Sequence, residues 1–284
     1  MDYQDNKILT KEDRTLKENI NRIALLIPVY NNQKGLAISL SSIQDEIVDI
    51  IVVDDGSEVP IQISADLLHA NINLIRLEKN QGITSALNEG LRYILDKGYK
   101  YLARLDAGDI VLPVRFLKQF TFLEKNPNYA LVGGQVKFVD PNGQELWKER
   151  FPTKYEDIKR IMHSRNCFIH PAVMMRTDVL RELGGYSADY PAAEDYELFM
   201  RIVKRYSVAN LDEVVLVYEV NPFSISIQKR RRQVLSRLKV MLRYFDPAIK
   251  ESYLGILKNV FLLTLPYSFV ITIKKLFRER ESWL

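Results

Sequence analysis

The residues best suited to chemistry fall in short polar clusters, each placed just after an apolar run. Asp106-Ala-Gly-Asp109 sets two carboxylates in one tight turn. Oxygen ligands so spaced suit a hard divalent cation, Mg²⁺ or Mn²⁺, that bridges and neutralises a diphosphate. Asp54-Asp55-Gly56-Ser57 offers two acidic groups able to accept hydrogen bonds from a nucleotide base and ribose. An ionised Asp only accepts, which matches a uracil N–H. Asn80-Gln-Gly82, followed by Ala86, Asn88 and Gly90, joins close backbone approach to a helix start that favours anions. Pro28-Val-Tyr-Asn31 comes first in the chain. Taken singly, each cluster is also ordinary turn chemistry. Further on, Glu194-Asp195 precedes Tyr196, Leu198 and Phe199. It reads as a helix cap, or as a general base that takes the proton of an acceptor hydroxyl. His170, next to Pro171 in an apolar run, reads as a hydrogen-bonded core residue or as a ligand.

The elements that must position these groups follow from hydrophobic spacing. Ile23–Val29, Val48–Val53, Ile72–Leu77 and Tyr99–Leu105 read as strands, and Leu36–Gln44 and Ile83–Asp96 as helices between them. Near-continuous Ile, Val and Leu runs separated by helices point to an α/β fold with a mainly parallel sheet covered on both faces. Ligands of such sheets bind at the carboxyl ends of the strands, where the clusters fall. The second half is more mixed. Helices are expected over Arg115–Glu124, Tyr155–Met162 and Asp195–Tyr206. Strands are expected over Ala130–Val139, Glu145–Phe151, Ala172–Arg176 and Val214–Val220, the first two joined by the turn Asp140-Pro-Asn-Gly143.

Composition narrows the classes. The chain has 284 residues, 47% hydrophobic and 27% charged, enough to bury a core and too apolar for a disordered chain. One cysteine, Cys167, excludes an internal disulfide and a cysteine zinc cluster and fits a cytoplasmic setting. Met1–Asn21 is polar and does not read as a signal peptide. There is no GxGxxG and no GxxxxGK[ST], which weighs against a dinucleotide enzyme and a P-loop ATPase. The net charge of +4 is uneven: residues 221–284 carry 13 Lys/Arg against 4 Asp/Glu, a net of +9, so the remainder is at −5. Such a tail points to an anionic partner.

Together, Pro28-Val-Tyr-Asn31, Val52-Val-Asp-Asp-Gly-Ser57, Asn80-Gln-Gly82, Ala103-Arg-Leu-Asp-Ala-Gly-Asp109 and Glu194-Asp195 occur in the order and spacing of a known family. Over roughly residues 22–220 the chain resembles the family 2 glycosyltransferases with the GT-A fold. It looks most like the bacterial enzymes of capsule, exopolysaccharide and lipopolysaccharide assembly. Arg104-Leu-Asp-Ala-Gly-Asp-Ile, Pro113, Arg115-Phe116, Gln119 and Gly133-Gly134 are especially similar. The resemblance implies a Rossmann-like nucleotide-binding part over about 22–110 and an acceptor-binding part over about 111–220. It implies a nucleotide-sugar donor, with UDP favoured, and a glycan or lipid-linked acceptor. Pro28, Tyr30 and Asp55, with Asp54 beside them, would hold base and ribose; Asn31, Asn80, Gly82, Arg104 and Asp106 complete the nucleotide-binding set. Asp106 opens the Asp-x-Asp metal motif, with Mn²⁺ or Mg²⁺ as cofactor; Asp109 and His170 join it as metal candidates. The sequence departs from the usual Asp-x-Asp-Asp at Gly108. Asp195 would be the base of an inverting transfer, with Glu194 as its neighbour. Lys229-Arg-Arg-Arg232 and His170 are placed over the diphosphate.

A soft boundary falls near Asn221-Pro222. Ser226–Arg243 has the apolar spacing of a basic amphipathic helix, which either packs on the body or faces a membrane. Tyr253–Ile273 is mostly apolar, and its uninterrupted part, Val260–Ile273, is short of a bilayer span. Lys274, Lys275, Arg278 and Arg280 flank it. A helical region over 221–284 lying on the inner leaflet is therefore expected, giving a cytoplasmic, peripheral enzyme. Nucleic acid is a poor match, because the basic residues lack an aromatic stacking surface. A sugar-phosphate nucleotidyltransferase would carry a Gly-rich loop where Pro28-Val-Tyr-Asn31 stands. A membrane-associated sugar-nucleotide-binding module without transferase activity is the other alternative, kept open by Gly108.

Overall fold

The computed structural model describes residues 23–43, 48–64, 71–220 and 230–264. Its frame is one nine-stranded sheet, in the order β3-β2-β1-β4-β8-β6-β9-β5, with β7 beside β6. β1 (Ile23–Val29), β2 (Asp49–Asp54), β3 (Ile72–Arg76) and β4 (Tyr101–Arg104) run parallel, as expected from their apolar runs. Alternation along β1 explains why no polar residue appears in it. Ala24 and Leu26 enter one core with Ile51, Val53, Leu87 and Leu91. Ile23, Leu25 and Ile27 enter a second core on the other face, with Leu36, Leu40, Phe116 and Phe120. Successive side chains point to opposite faces, so a strand covered twice must be apolar throughout. The covering helices here are α1 (Gln33–Ser41) and α2 (Ile83–Asp96). α2 has the expected bounds and buries Ala86, Leu87, Leu91 and Ile94.

The second half of the sheet is mixed rather than parallel. β8 (Met174–Arg176) runs antiparallel to both β4 and β6 (Tyr129–Val139), and β7 (Glu145–Glu149) antiparallel to β6. The two-residue β5 (Ile110–Val111) pairs antiparallel with β9 (Ser207–Glu219), which itself runs parallel to β6. β9 begins well before the expected Val214. Its register slips where Gly133 faces Asn210 and Gln135 faces Val214, and Asp212 and Glu213 fill the slip. Two exposed charges in a bulge hide the strand from an alternation pattern. α3 (Arg115–Lys125), α4 (Tyr155–Ile161), the short α5 (Thr177–Leu183) and α6 (Glu194–Val203) complete the body. A 3₁₀ turn over His170–Ala172 replaces the expected start of β8.

The basic segment forms α7 (Arg230–Arg243), followed by α8 (Lys250–Thr264). α7 packs on the body: Val240, Met241 and the following Tyr244 belong to the same core as α6. Tyr244 Oη donates to Glu197 Oε1 of α6 at 2.8 Å. α8 is pinned by the Arg160–Glu251 ion pair and by Ser252 Oγ at 3.0 Å from His163 Nδ1. Of the expected tail, 221–229, including the boundary at Asn221-Pro222 and Lys229, and 265–284 lie outside the described residues. No helix among the described residues is long and apolar enough to cross a membrane.

Candidate active site

The carboxyl edge of the parallel strands is wired together by its own polar groups. Asp54 is buried at the end of β2. Its carboxylate accepts the Ser57 amide at 2.9 Å and the Ile61 amide at 3.3 Å, and it pairs with Arg76 at 2.8 Å. Asp55, also buried, accepts the amides of Gln81 and Gly82 at 2.8 and 2.9 Å. Both groups are engaged within the chain. Every carboxylate oxygen holds a backbone N–H or a guanidinium, so these acids fasten the loops at the strand ends. Gly56 makes the junction possible: its φ is +67°, and a Cβ there would lie 2.3 Å from the backbone carbon of Lys79.

Pro28 is buried in β1 opposite Val53, so it shapes the strand end rather than lining an open rim. Tyr30 is exposed at that rim. Asn31 takes a left-handed φ of 50°, donates its amide to Ser57 Oγ at 2.9 Å and accepts the Glu58 amide at 2.9 Å. Asn80 is exposed beside the Asp55 clamp, and Gly82 caps α2.

At the end of β4 the Asp106–Asp109 turn is held by a residue that sequence spacing misses, Ser39 of α1. Ser39 is fully buried; its Oγ accepts the Gly108 amide at 2.9 Å and donates to Asp109 O at 2.8 Å. Gly108 has φ +118°, a conformation an Asp adopts only with strain. The departure from Asp-x-Asp-Asp is therefore a demand of this turn rather than decay. Asp106 keeps its side chain 42% exposed at the edge, with Oδ1 accepting from Arg104 at 2.5 Å. Asp109 turns inward: Oδ1 accepts the Glu219 amide at 3.1 Å, and buried Oδ2 has no partner among the described residues. Burial and the Asp106 charge hold the Asp109 carboxyl well above the usual carboxylate range.

Arg104 is 1% exposed. Its guanidinium is committed to Asp106, to Leu105 O and to His170, whose Nε2 lies 3.3 Å from Arg104 Nε. His170 Nε2 is also 2.9 Å from Tyr186 Oη. Burial and the Arg104 charge push the imidazole well below its ordinary value, so it is neutral. Arg104 nitrogens approach both ring nitrogens of His170, at 3.3 and 3.4 Å. Among the described residues no three His, Cys, Asp or Glu side chains gather as a metal cage.

Arg104 bears electrostatically on acids that lie far apart in the chain. Its charge acts on Asp109, Glu194 and Asp195 as well as on its partner Asp106. Tyr186 senses Asp195, Glu194 and Asp106; Tyr218 of β9 senses Asp106, Asp109 and Asp195. Glu194 and Asp195 open α6. Burial, then the Asp195 charge, pushes the Glu194 carboxyl up to about 7. Burial also raises Asp195, opposed by the Tyr196 amide and by Arg237 and Arg104. Asn166 Nδ2 donates to Asp195 Oδ2 at 3.1 Å, which aims the carboxylate. Asn166, Tyr186, Tyr218 and Arg237 carry no motif that ties them to Asp195 in the sequence. In the basic run, Arg230 donates to Leu262 O of α8 at 3.1 Å, and Arg231 and Arg232 are exposed.

The family model for Glycosyl transferase family 2 matches residues 24–184, more than half of the chain. The chain belongs to glycosyl transferase family 2. This family 2 chain is 32% identical over 238 residues to the amylovoran biosynthesis glycosyltransferase AmsE of Erwinia amylovora, covering 81% of this chain and 87% of that one. It is 26% identical over 269 residues to the Escherichia coli UDP-Gal:alpha-D-GlcNAc-diphosphoundecaprenol beta-1,3-galactosyltransferase, covering 89% and 95%. Among solved structures, S. aureus TarS in complex with UDP-GlcNAc superposes with a TM-score of 0.62 at 15% identity, covering 84% of this chain and 72% of that one. The mannosyltransferase PcManGT from Pyrobaculum calidifontis, in complex with GDP-Man and Mn²⁺, gives 0.57 at 17%, covering 86% and 70%. Those two establish the GT-A fold. The family match ends before α6, so Glu194 and Asp195 lie beyond it.

Proposed function

We propose that this glycosyltransferase moves a hexose, with inversion, from a nucleoside-diphosphate donor to a hydroxyl of a glycan or lipid-linked acceptor in bacterial surface-polysaccharide synthesis. The observation that carries the reading is that Arg104, paired with Asp106 at the end of β4, also bears electrostatically on Asp195 at the start of α6. The names of AmsE and of the E. coli galactosyltransferase support the pathway class, a UDP-sugar and a lipid-diphosphate-linked acceptor.

Asp195, whose charged form Arg237 and Arg104 favour against burial and which Asn166 aims, takes the proton of the acceptor hydroxyl. The freed oxygen lone pair attacks the anomeric carbon. The bond from that carbon to the diphosphate oxygen breaks on the opposite face, and the nucleoside diphosphate leaves with the electron pair. One base and in-line geometry suffice, so no covalent enzyme intermediate is needed. The donor set fits a divalent ion: Asp106 presents an exposed carboxylate, and the unpartnered Asp109 Oδ2 sits beside its like charge. Asp106, with Asp109 behind it, would hold Mn²⁺ or Mg²⁺, which supplies positive charge against the diphosphate. Arg104 holds Asp106 in place from beneath.

The deciding assay measures nucleoside-diphosphate release from UDP-sugars with an undecaprenyl-diphosphate-linked acceptor. Asp195→Asn is expected to lose about 10²–10⁴-fold in kcat while donor affinity persists. Turnover by Asp195→Asn at the wild-type rate would refute the base assignment, and no turnover by the wild type would favour the binding-module reading.

The same function places the protein on the inner membrane face, near its acceptor. α8 exposes Leu254, Leu257, Val260 and Phe261 at 56, 65, 47 and 57%, beside Lys258. Apolar and basic groups together suit an anionic leaflet. Phosphatidylglycerol liposomes should float wild-type protein and leave a Leu257→Asp/Phe261→Asp variant behind; equal recovery of the two would exclude this face as the contact.

A further inference from the structure

α8 turns its polar side to the body. Leu254, Leu257 and Phe261 are exposed, whereas Glu251, Ser252, Gly255 and Asn259 are buried. Each set recurs at three- and four-residue steps, so each is one face of the helix. An inward polar face is costly unless its groups find partners. Here they find them at the end of α4 and in the loop after it. Glu251 pairs with Arg160, and Ser252 Oγ lies 3.0 Å from His163 Nδ1. Gly255 lets the two backbones close: a Cβ there would lie 2.5 Å from His163 O and 2.8 Å from Ser164 Cα.

The same loop is fastened on its other side to α6. Tyr196 Oη donates to Met162 O, and the rings of Phe168 and Phe199 meet edge-on with centroids 5.4 Å apart. Between these two ties stands Asn166. Its Oδ1 accepts the Phe168 amide at 3.1 Å, which fixes the direction of the side-chain amide, and its Nδ2 donates to Asp195 Oδ2 at 3.1 Å. Among the described residues Asn166 is the side chain that hydrogen-bonds to Asp195.

We propose that the loop over 162–168, seated on the inner face of α8, positions the Asp195 carboxylate through Asn166, which makes the C-terminal helix part of the catalytic apparatus. The inference rests on Asp195 being the base. Asn166 is a positioning residue, and it is placed only as well as its loop is placed. A hydrogen bond to the ionised carboxylate favours that form. The charged and titratable groups that bear on Asp195 are Glu194 and Tyr196 on α6, Arg104 on β4, Tyr186, Tyr218 on β9 and Arg237 on α7. They act on it by charge, whereas Asn166 sets its direction.

The test follows the Asp195 carboxyl by ¹³C NMR titration of the full chain labelled at Asp, with Asp195→Asn identifying the resonance. It needs neither ligand nor membrane. Asn166→Ala removes the donor. Gly255→Ala drives the loop from its seat while favouring the helix itself, and Ser252→Ala removes the His163 contact without adding bulk. The Asp195 midpoint should rise by about one pH unit in Asn166→Ala and by about 0.3–0.5 in the two α8 variants. With an acceptor dispersed in detergent, kcat should fall about tenfold in Asn166→Ala and about two- to threefold in the α8 variants, donor KM staying unchanged. Asn166→Asp keeps the Phe168 bond but loses the donor, and should lose at least as much kcat as Asn166→Ala. An unmoved midpoint in folded Asn166→Ala would overturn the proposal, as would wild-type kcat in Asn166→Asp or a loss confined to donor KM. A midpoint that moves in Asn166→Ala but in neither α8 variant would overturn the part assigned to α8. If Asp195→Asn is inactive and Asn166→Ala changes nothing, only this inference fails. If Asp195→Asn is fully active, the base assignment beneath it fails.

Discussion

Glu194→Gln should make the protein more stable at pH 8 and leave it little changed near pH 5. Glu194 is 7% exposed, and its Oε2 has no partner among the described residues. Its carboxyl moves from an ordinary 4.5 up to about 7, through burial first and the Asp195 charge second. The sign follows from proton counts. Below 4.5 both folded and unfolded chains carry the proton, and no difference arises. Between 4.5 and about 7 the unfolded chain has released it while the folded chain has not, so stability falls as pH rises through that window. Above 7 the folded state carries the full cost of a buried charge. At about 1.4 kcal/mol per pH unit, the gap is worth at most about 3 kcal/mol. A neutral Gln removes it. Thermal melts of both proteins at pH 5 and pH 8 should show the variant higher by several degrees at pH 8 only, given about 2–4 °C per kcal/mol for a domain of this size. A difference in melting temperature that is the same at both pH values would refute the reasoning, because packing rather than charge would then be responsible.

Other outcomes follow from the same geometry. Asp54→Ala strips two loop amides and Arg76 of their acceptor and should cost about 2–3 kcal/mol in urea unfolding. Gly56→Ala adds a Cβ against Lys79 at a positive φ and should lower stability by about 1–3 kcal/mol, read from the same transition. Burial pushes the Cys167 thiol up to about 12, so Ellman's reagent should react with it only after unfolding. Asp106→Ala should weaken Mn²⁺-dependent titration of a UDP-sugar while the melting temperature without ligand stays within about 2 °C, since its side chain is 42% exposed.

Much of the first half was legible because one physical rule governs it. Strands covered on both faces must be apolar throughout, and α2 must alternate its burial at helical spacing; both patterns survive in a single sequence. β9 was half hidden, because its bulge places Asp212 and Glu213 where alternation should continue. The site divides in a similar way. Asp106 and Asp195 were visible as acids at element ends, and Arg104 bears on both. Asp54 and Asp55 were visible as well, but motif position does not distinguish an acid that holds a ligand from one that holds the chain. Here they accept the backbone amides of Ser57, Gln81 and Gly82. Ser39, Asn166 and Arg237 were illegible because their partners lie far away in sequence, and only packing juxtaposes them.

The fastening of the loops beyond β1, β2 and β4 has an energetic corollary. Asn31 is tied to Ser57 and Glu58, Asp55 to Gln81 and Gly82, and Asn32 to Ala107. Segments that would otherwise sample many arrangements have already surrendered that freedom during folding. A donor arriving at this edge meets a preorganised cradle and spends little of its binding energy on ordering it. A defect in one of these ties should therefore appear as weaker donor capture even when the broken contact never touches the nucleotide.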